Sequence, residues 1–127
     1  PLDQLHPSAR KAAEAARCAA DQGKFWEFHD KLYSGGTDAS LEALGRLAKE
    51  VNLDAGVFQQ CVVSGKHRSA VDRDIQEATT LGVTGTPAFF INGRFVSGAQ
   101  PYESFSAIIK EELALRQPSQ NPPLIPR

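Results

Sequence analysis

The chain has 127 residues, of which 41% are apolar and 23% are charged, as is usual for one globular domain. Its net charge is −1 with both signs interspersed, so nothing indicates a nucleic-acid partner. No apolar run approaches the roughly 18 residues needed to span a bilayer. The chain starts at Pro1 without a charged and then apolar leader, so no signal peptide is visible.

The first part of the chain shows the apolar period of amphipathic helices. Ser8 is expected to cap a first helix that ends near Gly23. A second helix begins near Phe25 and is broken by Gly35-Gly36. Its aromatic residues, Trp26 among them, are most simply interpreted as core.

Three more helices are predicted before residue 83. Ser40 opens the third and Asp54 caps the fourth. Leu53 and Phe58 have the spacing of a hydrophobic staple around that second cap. The fifth helix is closed by Gly82.

A β-hairpin is predicted over about residues 88–97. Asn92-Gly93 stands between two apolar runs, and this pair is the strongest short hairpin signal because both turn residues must accept a positive φ. Pro87 cannot donate to a ladder, so it belongs at the start of the first strand. A last helix should place four side chains inward, namely Tyr102, Phe105, Ile109 and Leu113. Residues 117–127 are expected to form a flexible tail.

This order of helices, hairpin and helix predicts an α+β fold. A lone hairpin is marginally stable, and residues 88–96 are apolar on both alternating faces. The hairpin therefore expects a neighbouring strand, either from residues outside this chain or from a second copy in a homo-oligomer.

The two cysteines, Cys18 and Cys61, are far apart, and the sequence contains no C-x-x-C motif. His6, His29 and His67 are equally scattered, so no metal site and no cofactor are expected. The cysteines could be inert buried thiols, a structural disulfide or, least of all, a catalytic pair.

Four segments in order resemble bacterial DsbA-like thiol–disulfide oxidoreductases, which have a thioredoxin fold with a helical insertion. They are residues 15–30, 58–66, 82–93 and 97–105. The resemblance covers residues 1–116 and implies an incomplete thioredoxin-like fold whose first strand–helix–strand unit, with its C-x-x-C motif, is missing. In this interpretation residues 1–7 end a strand, 8–82 form the helical insertion, and 83–116 form the C-terminal half of the fold.

The resemblance also implies a function: disulfide exchange with unfolded or extended secreted polypeptides, in the periplasm or another extracytoplasmic compartment, with a membrane redox partner. Because the reactive cysteines have no counterpart here, this chain is expected to hold no catalytic residue and to be inactive alone. Its contribution would be substrate binding at the backbone of Thr86, beside a Pro87 whose peptide bond is cis. Val83, Thr84 and Gly85 would line the same groove.

The resemblance further favours a structural disulfide between Cys18 and Cys61. Two alternatives remain open for the function. One is a redox-inactive module that binds or holds peptides. The other is a related thioredoxin-fold enzyme, such as a kappa-class glutathione transferase or an isomerase of that lineage.

Overall fold

A computed structural model of the protein describes residues 6–36 and 38–116. Within these ranges the fold is α+β, as predicted, with six helices and one two-stranded antiparallel sheet. The chain divides between residues 81 and 82 into two compact units. The elements are α1 (Ala9–Ala20), α2 (Phe25–Ser34), α3 (Leu41–Glu50), α4 (Ala55–Ser64), α5 (Arg68–Thr80), β1 (Ala88–Ile91), β2 (Arg94–Ser97) and α6 (Tyr102–Arg116).

The core of the first unit lies among α1, α2, α3 and α4. Phe28 of α2 and Phe58 of α4 are its largest fully buried side chains, and their ring centroids are 5.2 Å apart. Leu44 of α3 is buried in the same cluster. The small residues Ala15 and Ala19 give α1 a face that approaches this core closely and is fully buried.

Side chains cap two of these helices as predicted. Ser40 Oγ accepts a hydrogen bond from the Ala43 N–H at 3.2 Å, and Asp54 Oδ1 accepts one from the Val57 N–H at 2.8 Å. Each bond satisfies an amide that has no partner within its helix. The predicted cap at Ser8 is wrong in detail, because Ser8 precedes α1 but its side chain makes no capping hydrogen bond.

The interpretation of Trp26 as a core residue is also wrong. Trp26 is 68% exposed. It lies on the outer side of α2, where its ring contacts those of Phe25 and His29. Tyr33 continues this exposed aromatic side, with its ring centroid 4.6 Å from that of His29. The side of α2 that faces the core is instead the side that carries the buried Phe28.

The second unit contains the predicted hairpin and the last helix. Asn92 and Gly93 have φ values of 50° and 86°, so the expected turn with two positive φ angles is confirmed. The strands pair with Phe89 opposite Val96 and Phe90 opposite Phe95.

The predicted inward face of α6 is wrong for three of its four residues. Tyr102, Ile109 and Leu113 are exposed. Phe105 does pack inward, with its ring edge-on to Phe89 at a centroid distance of 4.9 Å.

Some predictions concern residues outside the described ranges. The tail over 117–127 lies wholly there, as do residues 1–5 of the expected strand end. The remaining two residues of that strand, His6 and Pro7, are not in a strand. Among the described helices, none combines the length and the apolar character required to cross a bilayer.

Candidate functional site

The segment predicted to bind substrate, residues 83–87, forms the approach to β1. Thr84, Gly85, Thr86 and Pro87 are exposed, and Val83 is half-buried. The Thr86–Pro87 peptide bond is cis. Because β1 starts at Ala88, the backbone of Thr86 lies outside the β1–β2 ladder.

The ladder is extended by one bond at this end of the hairpin. The Gly98 N–H donates to the carbonyl oxygen of Pro87 at 2.9 Å. Within residues 82–116, β1 pairs with β2 along one edge and has no strand on its other edge. An extended peptide could therefore pair with the backbone along that edge, and Thr86 would stand at its beginning.

The hairpin presents two different faces. Phe89 and Val96 share one face, where Val96 is buried and Phe89, although 40% exposed, packs on Phe105 of α6. Phe90 and Phe95 share the other face, with ring centroids 5.1 Å apart, and both remain more than 40% exposed. The second face is thus an apolar surface beside the open edge.

Ion pairs hold the turn end of the hairpin to α6. Arg94 Nη1 donates to Glu111 at 2.6 Å and to Glu112 at 3.5 Å. The hydrogen bond that Arg94 donates to Glu111 is the main cause of a raised pKa at the Arg94 guanidinium. These contacts lie at the opposite end of the strands from Thr86, so they position the hairpin without occupying the candidate edge.

The two cysteines belong to the first unit. Cys18 of α1 and Cys61 of α4 form a disulfide, with their Cα atoms 5.9 Å apart. Cys18 is 1% exposed and Cys61 is 9% exposed. The bond therefore joins two helices inside the core, a position typical of a structural disulfide and unlike the exposed thiolate that redox catalysis needs.

Sequence reasoning missed a polar cluster beside this disulfide. A ring nitrogen of His67 lies within 4.8 Å of both cysteine sulfurs. Asp21 Oδ2 is 2.8 Å from His67 Nε2, 2.8 Å from Lys66 Nζ and 3.9 Å from Cys61 Sγ. The three histidines are scattered along the sequence, and His67 comes close to the two cysteines only through the packing of the helices.

The local spacing contained part of this signal. Asp21 follows Cys18 by three residues, or about one helical turn, and Lys66 and His67 come after Gly65, the residue that caps the end of α4. The hydrogen bond from Lys66 and then that from His67 lower the pKa of the Asp21 carboxyl below its usual value. The carboxylate is therefore kept ionised beside the disulfide.

Comparison with known proteins decides the family. Residues 1–110 match the family model described as a DSBA-like thioredoxin domain. The chain belongs to this family. The predicted kinship is thereby confirmed, together with the thioredoxin-like class of the fold.

Curated relatives of this DSBA-like domain are much longer proteins. The chain is 37% identical over 114 residues to "Na(+)/H(+) antiporter NhaA 3" of Salinispora tropica. The aligned region covers 90% of the chain and 18% of that protein. It is 36% identical to "Na(+)/H(+) antiporter NhaA 1" of Salinispora arenicola, with the same coverage of both. A third relative, "Na(+)/H(+) antiporter NhaA 1" of Mycobacterium sp. strain KMS, is 34% identical over 85% of the chain and 18% of its own length. The chain thus spans less than a fifth of the length of these relatives.

Proposed function

We propose that this DSBA-like domain binds extended, cysteine-containing polypeptides along the open edge that begins at Thr86, as the substrate-binding part of a thiol–disulfide oxidoreductase. The observation that carries the proposal is the exposed segment 84–87, which leads directly into β1, one edge of which is unpaired among the residues that the structure describes. The family membership supplies the reaction class.

The chemistry of binding follows from the backbone. Edge pairing takes its affinity from main-chain hydrogen bonds, so it accepts many sequences. The exposed rings of Phe90 and Phe95 offer apolar contact to side chains of the bound strand. Both properties suit a protein that handles unfolded clients rather than one defined ligand.

The reactive thiol would not come from the cysteines of this chain. Cys18 and Cys61 are bonded to each other and buried, and the sequence contains no C-x-x-C motif. We therefore propose that residues 1–127 position the client, and that a cysteine pair outside them carries out the exchange. The disulfide also supports an extracytoplasmic location, because such bonds persist in oxidising compartments.

The test is an NMR titration of the isotope-labelled chain with a short extended peptide. The amide signals of residues 83–87 and of β1 are expected to shift, and those of α3 are not. A peptide with the same side chains but N-methylated backbone amides should bind at least about tenfold more weakly, because each methyl group removes a donor from the pairing.

Two variants at opposite ends of the hairpin provide the matched comparison. Thr86→Pro removes an N–H at the candidate edge and should weaken peptide binding. Asn92→Gly keeps a residue that accepts the positive φ of the distant turn and should leave binding unchanged. Shifts that cluster elsewhere, or equal binding of the N-methylated peptide, would refute the proposal.

The buried disulfide also favours a second candidate, a peptide-binding module without redox activity of its own. Both candidates bind peptides at Thr86, and they differ in the parent protein: only the oxidoreductase would oxidise a dithiol client. A glutathione transferase would instead bind glutathione, which a calorimetric titration measures directly.

A further inference from the structure

We propose that reduction of the Cys18–Cys61 disulfide opens a binding site for a thiophilic divalent cation of the Zn²⁺ type, held by the two thiolates and a ring nitrogen of His67. The proposal concerns the first unit and is independent of peptide binding at Thr86. It rests on the proximity of three donor atoms, which all lie within 4.8 Å of one another.

The donor set has the chemistry that such a cation prefers. Zn²⁺ is bound in proteins by cysteine sulfur at about 2.3 Å and by histidine nitrogen at about 2.0–2.1 Å, in a tetrahedral arrangement. Two thiolates and one imidazole occupy three positions, and water can take the fourth. Two thiolates also balance the charge of the cation.

The helices require little adjustment to form the site. Tetrahedral coordination places two sulfurs roughly 3.8 Å apart, so the sulfurs of the broken disulfide must separate by less than about 2 Å. Cys18 and Cys61 project from two helices that pack on each other, with Cα atoms 5.9 Å apart. Changes in side-chain torsion can provide this separation while the helices stay in place.

Asp21 supports the site from its edge. Its carboxylate oxygen lies 2.8 Å from His67 Nε2, and a carboxylate bound to one ring nitrogen orients a histidine whose other nitrogen binds the metal. The proposal therefore assigns His67 Nδ1 as the ligand atom. Lys66 shares the same oxygen at 2.8 Å, and its positive charge lies on the solvent side of the cluster, where it is more than half exposed. His67 itself is mostly buried, with 18% of its side chain exposed.

The reaction balances in two steps. A dithiol reductant transfers two electrons to the S–S bond by exchange, gives each released sulfur a proton, and becomes a disulfide itself. A phosphine with one water molecule has the same effect and becomes a phosphine oxide. Zn²⁺ then replaces the two thiol protons, which leave to solvent, and no further electron moves.

The experiment uses the full 127-residue chain, reduced with a phosphine and freed of the reductant without oxygen. Calorimetric titration with Zn²⁺ is expected to show one equivalent bound to the reduced chain and none bound to the oxidised chain. Co²⁺ should produce a thiolate-to-metal charge-transfer band in the near ultraviolet, which Cys18→Ala abolishes.

Variants separate the site from adventitious thiol binding. His67→Ala should weaken Zn²⁺ binding by the reduced chain at least about tenfold, and Asp21→Asn by about 10–100-fold. The control is His29→Ala, which removes a histidine that packs among the aromatic rings of α2 and should leave affinity unchanged.

Circular dichroism tests whether the chain that binds Zn²⁺ is folded. The reduced protein with Zn²⁺ should keep the helical signal of the oxidised protein. Loss of that signal in the presence of Zn²⁺, equal binding by the oxidised chain, equal affinity of His67→Ala or absence of the Co²⁺ band would each overturn the proposal.

Discussion

The carboxylate of Asp21 lies 2.8 Å from Nε2 of His67 and so joins the end of α1 to the residue that precedes α5. A negative charge at the C-terminal end of a helix is opposed by the helix dipole. The hydrogen bonds from His67 and Lys66 offset this cost. The arrangement also places an ionised group next to the disulfide that crosslinks α1 and α4.

The first prediction concerns the pH dependence of this contact. The hydrogen bonds from Lys66 and His67 lower the pKa of Asp21 in the folded chain below 3.8. A depressed folded pKa contributes stability above the unfolded pKa, and that contribution is lost as the pH falls through the folded pKa. Asp21→Asn should therefore lower the free energy of unfolding at pH 7, by less than about 1 kcal/mol because the side chain is one-third exposed.

Urea unfolding of both chains between pH 7 and pH 2 checks this expectation. The difference in unfolding free energy should be constant at neutral pH and shrink below about pH 4. A difference that stays the same down to pH 2 would show that the carboxylate charge is not responsible.

The second prediction compares two helix caps. Asp54→Ala removes the acceptor of the Val57 N–H and should cost about 1 kcal/mol of stability. Ser8→Ala is the matched control, because Ser8 occupies the same position before α1 but makes no side-chain cap bond. Its cost should be within about 0.5 kcal/mol of zero. Equal losses for both variants, measured by urea unfolding, would contradict the capping assignment.

The third prediction compares two aromatic residues two positions apart on α2. Phe28 is fully buried and packs on Phe58, so Phe28→Ala should destabilise the chain by about 3–5 kcal/mol. Trp26 is 68% exposed, so Trp26→Ala should cost less than about 1 kcal/mol. Thermal unfolding followed by circular dichroism measures both without a tryptophan signal. A larger loss of stability for Trp26→Ala than for Phe28→Ala would contradict the assignment of Phe28 to the buried side of α2.

These contrasts show which parts of the fold the sequence could predict. The caps at Ser40 and Asp54 and the turn at Asn92-Gly93 were predictable because each depends on a few neighbouring residues. The outward position of Trp26 was not predictable. Two sides of α2 carry aromatic residues, and the sequence of the helix does not indicate which side packs on Phe58.

The same limit applies to α6 and to the candidate sites. Phe105 packs on Phe89, whereas Ile109 and Leu113 are exposed. Helical spacing alone could not distinguish these residues, because all three fall on the same predicted face. His67 was missed because its approach to Cys18 depends on helix packing across many residues. The strand expected beside the hairpin stays a prediction, and sedimentation of the chain tests whether a second copy supplies it.

The fourth prediction concerns the disulfide itself. Crosslinking residues separated by 43 positions should stabilise the chain by roughly 4 kcal/mol in the chain-entropy model. Cys18→Ala with Cys61→Ala should lower the free energy of unfolding by about that amount, and a reductant should have a similar effect on the native chain. The double variant is its own control, since reductant should not change its unfolding. If the double variant were as stable as the oxidised native chain, the disulfide would have no stabilising role.

The last prediction is that this chain alone does not catalyse thiol–disulfide exchange. Catalysis needs an accessible thiolate of lowered pKa, whereas Cys18 is 1% exposed and both cysteines are engaged in one bond. In an insulin reduction assay with a dithiol, the chain should give the uncatalysed rate, and the double alanine variant should give the same rate. Turnover by the native chain that disappears in Cys61→Ala would instead make this pair the redox centre, because no other cysteine is present in the 127 residues.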